Sequence, residues 1–94
     1  MVLSTSAFMK YRSRTEIVAS ILDAAQDPTT KTKIMYKAYL SYSQLKEYLA
    51  VLIENHLLEF NEAELKYRTT SKGKRFLDTY SQMGEMVSAE SSLS

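Results

Sequence analysis

The chain has 94 residues, of which 45% are hydrophobic and three are Gly or Pro, so it can build one compact core but not a second domain of ordinary size. It has no cysteine, which excludes a disulfide framework, a cysteine zinc site and a thiol nucleophile. The longest aliphatic run, 49–53, is far below the ~20 residues that cross a bilayer, and residues 1–9 do not resemble a signal peptide. We therefore expect a cytoplasmic protein without a membrane partner.

The formal net charge of +1 averages over strongly segregated blocks. Residues 1–46 carry seven Lys/Arg and three acids, whereas residues 47–64 carry five acids and no base. Residues 65–75 reverse the sign again, with five bases and no acid. A chain of this kind can present a basic face although its net charge is small.

Capping boxes at Ser13–Glu16 and Ser41–Gln44 predict the starts of two helices, helix 1 over 14–26 and helix 3 over 42–55. Pro28 ends the first, and Thr29 or Thr30 can cap a short helix 2 over 31–39. The apolar residues recur at helical spacing, which predicts that they face the core. They are Ile17, Val18, Ile21, Leu22, Ala25, Ile34, Met35, Ala38, Leu45, Tyr48, Leu49, Leu52 and Ile53.

The second half of the chain predicts a β-hairpin and a last helix. One of Asn55 and His56 should take a left-handed conformation where helix 3 ends. Strands are expected at 57–60 and 65–69, separated by polar residues 61–64, and in the second strand Leu65, Tyr67 and Thr69 share one face. Helix 4 should occupy about 70–87, with Phe76, Leu77, Tyr80, Met83 and Val87 on its apolar stripe.

These elements divide the chain into three parts. Residues 1–12 are expected to form a flexible basic arm, 13–87 one domain, and the Ser-rich 88–94 a disordered tail. The fold class is mainly α with a small β-hairpin, in the order α-α-α-β-β-α. That order is typical of a winged helix-turn-helix domain, in which the second helix of the motif lies in the major groove of DNA.

Helix 3 is therefore the expected recognition helix, flanked by basic residues on helix 2 and on the hairpin. The candidates for contact with bases are Tyr42, Ser43, Gln44, Lys46 and Glu47. The candidates for contact with phosphates are Arg12, Arg14, Lys31, Lys33, Lys37, Lys66 and Arg68. Tyr36, Tyr39 and Tyr42 surround the turn between helices 2 and 3, and for these rings a core role is favoured over contact with DNA.

The stretch 31–42, KTKIMYKAYLSY, closely resembles the helix-2-to-turn signature of archaeal small winged-helix proteins. The similarity continues through Tyr48-Leu49, Leu57-Leu58, Tyr67, Thr70 and Lys72-Gly73, and so covers about 13–80. That family contains predicted transcription regulators and abundant chromosomal DNA-binding proteins. The resemblance implies that this protein binds double-stranded DNA and is associated with the nucleoid.

The resemblance also implies a homodimer, because relatives with an extended fourth helix pair through an antiparallel coiled coil. Here only Tyr80, Met83 and Val87 could continue such a seam, and Gly84 interrupts it, so a smaller or differently built dimer is expected. The chain departs from the family pattern in two further places. His56 stands where the family usually has glycine, and Glu62 and Glu64 make the wing acidic.

Other functions find less support in the sequence. His56 is the only histidine and is expected to be a helix-end residue, so no metal or cofactor is implied. No catalytic triad, phosphate-binding glycine loop or framed carboxylate pair is recognisable, so neither an enzyme nor a small-molecule substrate is predicted. The principal alternative is a winged-helix protein-interaction module, motivated by Glu47 and the acidic wing. Duplex RNA is a weaker alternative, because a helix cannot enter its narrow major groove.

Overall fold

A computed structural model describes the backbone of residues 12–93 and the side chains of residues 12–83. Within this range the chain forms four helices and one antiparallel hairpin, in the predicted order. The helices are α1 (Arg14–Ala24), α2 (Lys31–Lys37), α3 (Tyr42–Glu54) and α4 (Ser71–Leu93), and the strands are β1 (Leu58–Asn61) and β2 (Lys66–Thr69). Residues 1–11 of the predicted arm, 1–12, lie outside the described part.

Both predicted capping boxes are present. At the start of α1, Glu16 N donates to Ser13 Oγ over 3.1 Å, and Ser13 N donates to the Glu16 carboxylate over 3.3 Å. The start of α3 repeats the pattern with Ser41 and Gln44. Thr30 caps α2 by accepting from Lys33 N. Each cap satisfies an N–H that would otherwise lack a partner in the first turn, so these local sequence signals fix where the helices begin.

One hydrophobic core joins the helices to the hairpin. Its fully buried large side chains are Ile21, Leu22, Ile34, Leu45, Leu52 and Leu58. Met35, Tyr48, Tyr67, Phe76 and Leu77 are partly buried and pack against this centre. The predicted stripes of α1, α2 and α3 therefore converge, with one exception. Ile53, which was predicted to be buried, is 37% exposed because it lies one residue past Leu52 and points off the buried side of α3.

The hairpin is tied to α1 by its second strand. In the β1–β2 register Leu58 faces Thr69 and Phe60 faces Tyr67, and the Phe60 and Tyr67 rings are 4.6 Å apart. Thr29 and Tyr67 exchange two backbone hydrogen bonds of 2.9 and 2.7 Å. The buried Thr69 hydroxyl donates to Leu22 O over 2.6 Å, and Thr69 N donates to Ala25 O over 2.8 Å. Thr69 therefore satisfies two carbonyls at the end of α1.

A second junction joins the end of α3 to the start of α4, and we call it the α3–α4 junction. His56 has φ 60°, so the prediction of a left-handed residue at 55 or 56 is confirmed. Thr70 Oγ1 donates to His56 O over 2.6 Å, Thr70 N to Leu57 O over 3.1 Å, and Lys72 Nζ to Asn55 O over 2.9 Å. The Lys72 ammonium group also interacts favourably with the negative end of the α3 helix dipole.

Several predicted boundaries and orientations are corrected. Helices α1, α2 and α3 end one or two residues before the predicted 26, 39 and 55. Tyr39, expected as the last residue of helix 2, has φ 54° and belongs to the turn. Leu65 has φ 56° and is exposed in the hairpin turn instead of sharing the inner face of β2. Met83 is 59% exposed, because α4 has passed the core at that point.

The last helix is longer than the expected 70–87. Its backbone is helical to Leu93, across Gly84 and into the Ser-rich segment that was expected to be disordered. Residues 88–93 contain neither Gly nor Pro, and extending an existing helix costs much less than starting one. At 23 residues α4 is about 35 Å long at 1.5 Å per residue.

Candidate nucleic-acid interface

The outer face of α3 presents polar side chains near the start of the helix. Leu45, Leu49 and Leu52 face the core, which turns the residues between them outward. The predicted base-contacting residues are all exposed, namely Tyr42, Ser43, Gln44, Lys46 and Glu47. The structure therefore brings these five residues together on the accessible first two turns of α3, where the recognition helix of a helix-turn-helix domain meets base edges.

Gln44, which the sequence predicts to contact bases, also takes part in the capping box of α3. Its side-chain oxygen accepts from Ser41 N over 3.0 Å as part of the capping box. Bidentate recognition of adenine needs both the oxygen and the nitrogen of the amide. In this conformation the oxygen is directed at the backbone, so the amide N–H₂ group is the part that remains for a ligand.

The flank formed by α2 is basic and lacks acids over a long stretch. Residues 28–46 contain four lysines and no Asp or Glu. Lys33 and Lys37 are exposed four residues apart and therefore lie on one face of α2. Lys31 lies beside Tyr42, with its Nζ 5.0 Å from the ring centroid and 3.4 Å from the hydroxyl. This contact connects the start of α2 to the start of α3.

Arg12, a predicted phosphate ligand, donates hydrogen bonds to the turn between α2 and α3. Its Nη2 donates to Ala38 O and, over 3.2 Å, to Tyr39 O. These carbonyls end α2 and have no partner within that helix. Arg14 is exposed at the first position of α1 and lines a shallow cleft with Glu47 and Tyr48 of α3. Arg12 therefore lies at the C-terminal end of α2, whose last residue is Lys37, whereas Arg14 lies beside the middle of α3.

The hairpin offers less free positive charge than its sequence indicates. Arg68 Nε donates to the Glu59 carboxylate over 2.9 Å, and a second nitrogen of the guanidinium contacts the same oxygen. Lys66 is exposed on the same strand. At the tip, Asn61 Oδ1 accepts from Ala63 N and Glu64 N, which fixes the turn. The Glu59 contact could not be read from the sequence alone, because it depends on the register of the two strands.

The three tyrosines of the turn are exposed, so the expectation of a core role is wrong. The core beneath the turn is filled by Ala38 and Leu40, both buried, and leaves the rings outside. Tyr36, Tyr39 and Tyr42 therefore add aromatic surface to the lysines of α2 and α3. Alternation of buried and exposed positions breaks down in a turn, which is why periodicity could not place these rings.

The predicted dimer residues lie on the later part of α4. Tyr80 is half-buried and stacks on Phe76, with ring centroids 6.3 Å apart, whereas Met83 is exposed. The side chain of Val87 lies outside the described residues. Tyr80 also lines an open groove between α1 and α4, together with Arg12, Asp23 and Lys74.

Other kinds of site find no support among the residues that the structure describes. Over this range no three His, Asp or Glu side chains lie close enough to hold a metal ion. Within the same range, no helix is both long and apolar enough to span a bilayer.

Three helices, a hairpin that forms a wing, and a final helix define a winged helix-turn-helix protein with an exposed α3. A sequence model of the winged helix-turn-helix family matches residues 11–88, and the chain belongs to that family. Six solved chains match significantly. One is Sso10a-2, a DNA-binding protein from Sulfolobus solfataricus, with a TM-score of 0.76 and 23% identity over 87% of this chain and 88% of that one. A search of curated protein sequences finds no significant match.

Proposed function

We propose that this protein binds double-stranded DNA, as a transcription regulator or chromosomal organiser on the nucleoid, and catalyses no reaction. The observation that carries the proposal is the stretch 28–46, which has four lysines and no acid and which forms α2, the turn and the exposed start of α3. The similarity in fold to a protein described as DNA-binding supports it. No cofactor or metal enters the proposal.

In the proposed complex α3 enters the major groove and the lysines of α2 contact the phosphates beside it. Lys33 and Lys37 are exposed on one face of α2, and Lys46 is exposed on α3. Ser43 and Gln44 are exposed, and the Gln44 amide N–H₂ group, whose oxygen is used by the capping box, remains for contact with bases or phosphates. Lys66 and Arg68 on the wing would reach the adjacent backbone, where Glu59 competes for Arg68. Phosphate contacts fix orientation, whereas base contacts give any specificity.

We further propose a homodimer formed along α4, with Tyr80, Met83 and Val87 in the contact. Met83 is exposed, and the α4 backbone continues as a helix to Leu93. An exposed methionine beyond the core is a feature that a second copy of the chain could cover.

The first test is fluorescence anisotropy of a labelled random-sequence duplex at several salt concentrations. If a dimer neutralises six phosphates, the slope of log affinity against log salt should be about −5. A slope near zero for every duplex tested would overturn electrostatic DNA binding by this surface.

Single substitutions then locate the surface. Lys33→Ala should weaken binding to all duplexes alike and flatten the slope by about 0.9 for each phosphate contact removed. Lys74→Ala is the matched control, because Lys74 is an exposed lysine on a different helix, α4, where it lines the groove between α1 and α4. Equal losses from the two variants would show that general charge, and not this face, determines binding.

A second candidate function is a protein-interaction module. The observation that favours it is the later part of α3, where Val51 and Ile53 are exposed beside Glu47 and Glu54. Retention on heparin at physiological salt would support nucleic acid as the ligand. Flow-through on heparin, combined with capture of a specific protein that Val51→Lys abolishes, would support the module instead.

A further inference from the structure

Three tyrosines around the turn between α2 and α3 expose unusually large areas. Tyr36 is 69%, Tyr39 85% and Tyr42 54% exposed. Aromatic rings are among the side chains that gain most from burial, so a group of them left in solvent calls for a partner. The three residues lie at intervals of three along the chain, so the Cα atoms of neighbouring tyrosines are at most about 10 Å apart.

Tyr39 carries the clearest sign of a role outside the fold. Its φ of 54° is one that bulky residues rarely adopt. Its backbone is held there by a bond from Tyr39 N to Tyr36 O and by Arg12, which donates to Tyr39 O. The fold thus fixes the backbone of Tyr39 while its ring remains in solvent, and such held conformations are concentrated at functional sites.

The charge around the rings identifies the kind of partner. Lys33 and Lys37 are exposed on α2 on either side of Tyr36 in sequence, and Lys31 lies over the Tyr42 ring. The stretch 28–46 that contains the three tyrosines has four lysines and no acid. The surface is therefore complementary to a ligand that combines negative charge with flat, unsaturated rings.

Unpaired DNA has both properties, and duplex DNA presents only one of them. In a duplex the base faces are covered by their neighbours and only the edges are open in the grooves. In a single strand each base exposes a face next to a phosphate, and groups of two or three aromatic side chains stack successive bases. We propose that Tyr36, Tyr39 and Tyr42 form a stacking platform for single-stranded DNA, with Lys31, Lys33 and Lys37 as phosphate contacts.

This inference goes beyond the proposed function, since it concerns a different form of DNA. Tyr42 and the three lysines belong to both surfaces, because Tyr42 is also the first residue of α3 and the lysines are also proposed contacts for duplex phosphates. Tyr36 and Tyr39 were not among the predicted duplex contacts, so substitutions at these two residues separate the platform from the duplex surface.

The test compares binding of a labelled oligo-dT strand of about twelve nucleotides, within the usual range of single-strand site sizes, with binding of a closed duplex hairpin. The full chain is measured as wild type, as Tyr36→Ala/Tyr39→Ala and as Tyr36→Phe/Tyr39→Phe. Leu65→Ala is the control, because Leu65 is a similarly exposed apolar residue on the wing. Thermal unfolding of each variant verifies that the domain remains folded.

We expect wild type to bind oligo-dT and the double alanine variant to bind it at least about 25-fold more weakly, since each lost stack reduces affinity about five-fold or more. The double phenylalanine variant should stay within about two-fold of wild type, because it keeps both rings. Leu65→Ala should leave oligo-dT binding unchanged. Duplex binding should be the same for all four proteins.

The inference is overturned if wild type does not bind oligo-dT or if the alanine variant binds it as well as wild type. Equal losses in the alanine and phenylalanine variants would also overturn it, because hydroxyl contacts to phosphate would then explain the tyrosines. A parallel loss of duplex binding in the alanine variant would place both residues in the duplex surface instead. If the protein binds duplex but not oligo-dT, the proposed function stands and this inference fails. If it binds oligo-dT but not duplex, the proposed function fails and this inference stands.

Discussion

Gly73 occupies a position where the fold leaves no room for a side chain. A Cβ atom there would lie 2.3 Å from Leu57 O and 2.5 Å from the Thr69 methyl carbon. The need for glycine comes from close packing of α4 against the backbone of Leu57, which lies between α3 and β1. The sequence resemblance included Gly73, but only the structure gives this reason for it.

Gly73→Ala should therefore destabilise the domain although alanine favours helices. Because Leu57 O is backbone and cannot move aside as a side chain would, we expect a loss of ~1–3 kcal/mol. For a domain of this size that corresponds to a fall in Tm of roughly 4–20 °C, measurable by circular dichroism.

Thr79→Ala is the matched control, because Thr79 is exposed on the same helix and alanine has the higher helix propensity. An unchanged or raised Tm for Gly73→Ala would contradict the close packing of α4 against Leu57.

At the scale of elements, Thr69 on β2 forms hydrogen bonds with the C-terminal end of α1. The Thr69 hydroxyl is buried and donates to Leu22 O, a carbonyl that the last turn of α1 leaves without a helical partner. Thr69→Val keeps the shape and removes the donor. We expect a loss of ~1–3 kcal/mol in the free energy of unfolding, measured by urea titration.

Thr32→Val serves as the comparison for Thr69→Val, since Thr32 is an exposed threonine on α2. Equal losses of stability in the two variants would contradict a role for the buried hydrogen bond, because the effect would then come from the change of residue type.

The wing carries an ion pair that should matter more for binding than for stability. The side chains of Arg68 and Glu59 are 58% and 50% exposed, so breaking the pair should change stability by less than ~1 kcal/mol. Glu59→Gln leaves Arg68 without a competing carboxylate. If the wing contacts DNA, this variant should bind duplex more tightly, with a salt slope steeper by about 0.9.

Glu62→Gln removes the same charge from the exposed wing tip and, within the described residues, breaks no salt bridge. A steeper slope for Glu59→Gln alone would establish the contact of Arg68 with phosphate. Equal changes of the salt slope in the two variants would show that net charge, and not the release of Arg68, causes the change.

For the whole molecule, the proposed contact along α4 can be tested by changing its exposed methionine. Met83→Lys should convert a dimer at micromolar concentration into a monomer, because each copy would place a charge in the apolar contact. Gln82→Lys adds the same charge at the neighbouring exposed residue and should leave the dimer intact. Sedimentation velocity measures both. A wild-type protein that is monomeric at about a hundred times that concentration would remove α4 as a dimer contact.

The order of elements was predictable from the sequence because the signals for it are local. Capping boxes, Pro28 and the spacing of apolar residues act within one or two turns, and they located the starts of α1, α2 and α3 and placed that of α4 within one residue. The left-handed residue at 55 or 56 was also predictable from residue type. Left-handed Tyr39 and Leu65 were not, because neither residue favours that conformation and tertiary contacts hold it.

The candidate interface was only partly predictable. Exposure of Ser43, Gln44, Lys46 and Glu47 followed from the helical period of α3. The hydrogen-bond partners of Arg12 and Arg68 could not be predicted from helical spacing. The partners of Arg12 lie 26 and 27 residues away in the chain, and the partner of Arg68 lies nine residues away. A formal charge read from the sequence therefore overstates how many arginines are available for phosphate.

The α3–α4 junction has a geometric consequence for a dimer built along α4. Three hydrogen bonds join the end of α3 to the start of α4, so the two helices should turn together. Inserting one residue into α4 between the junction and Met83 would rotate each α3 by about 100° around the α4 axis and shift it by about 1.5 Å. The number of α4 residues between the junction and the dimer contact would thus set the orientation of the two α3 helices relative to each other, and with it the spacing of the two DNA half-sites.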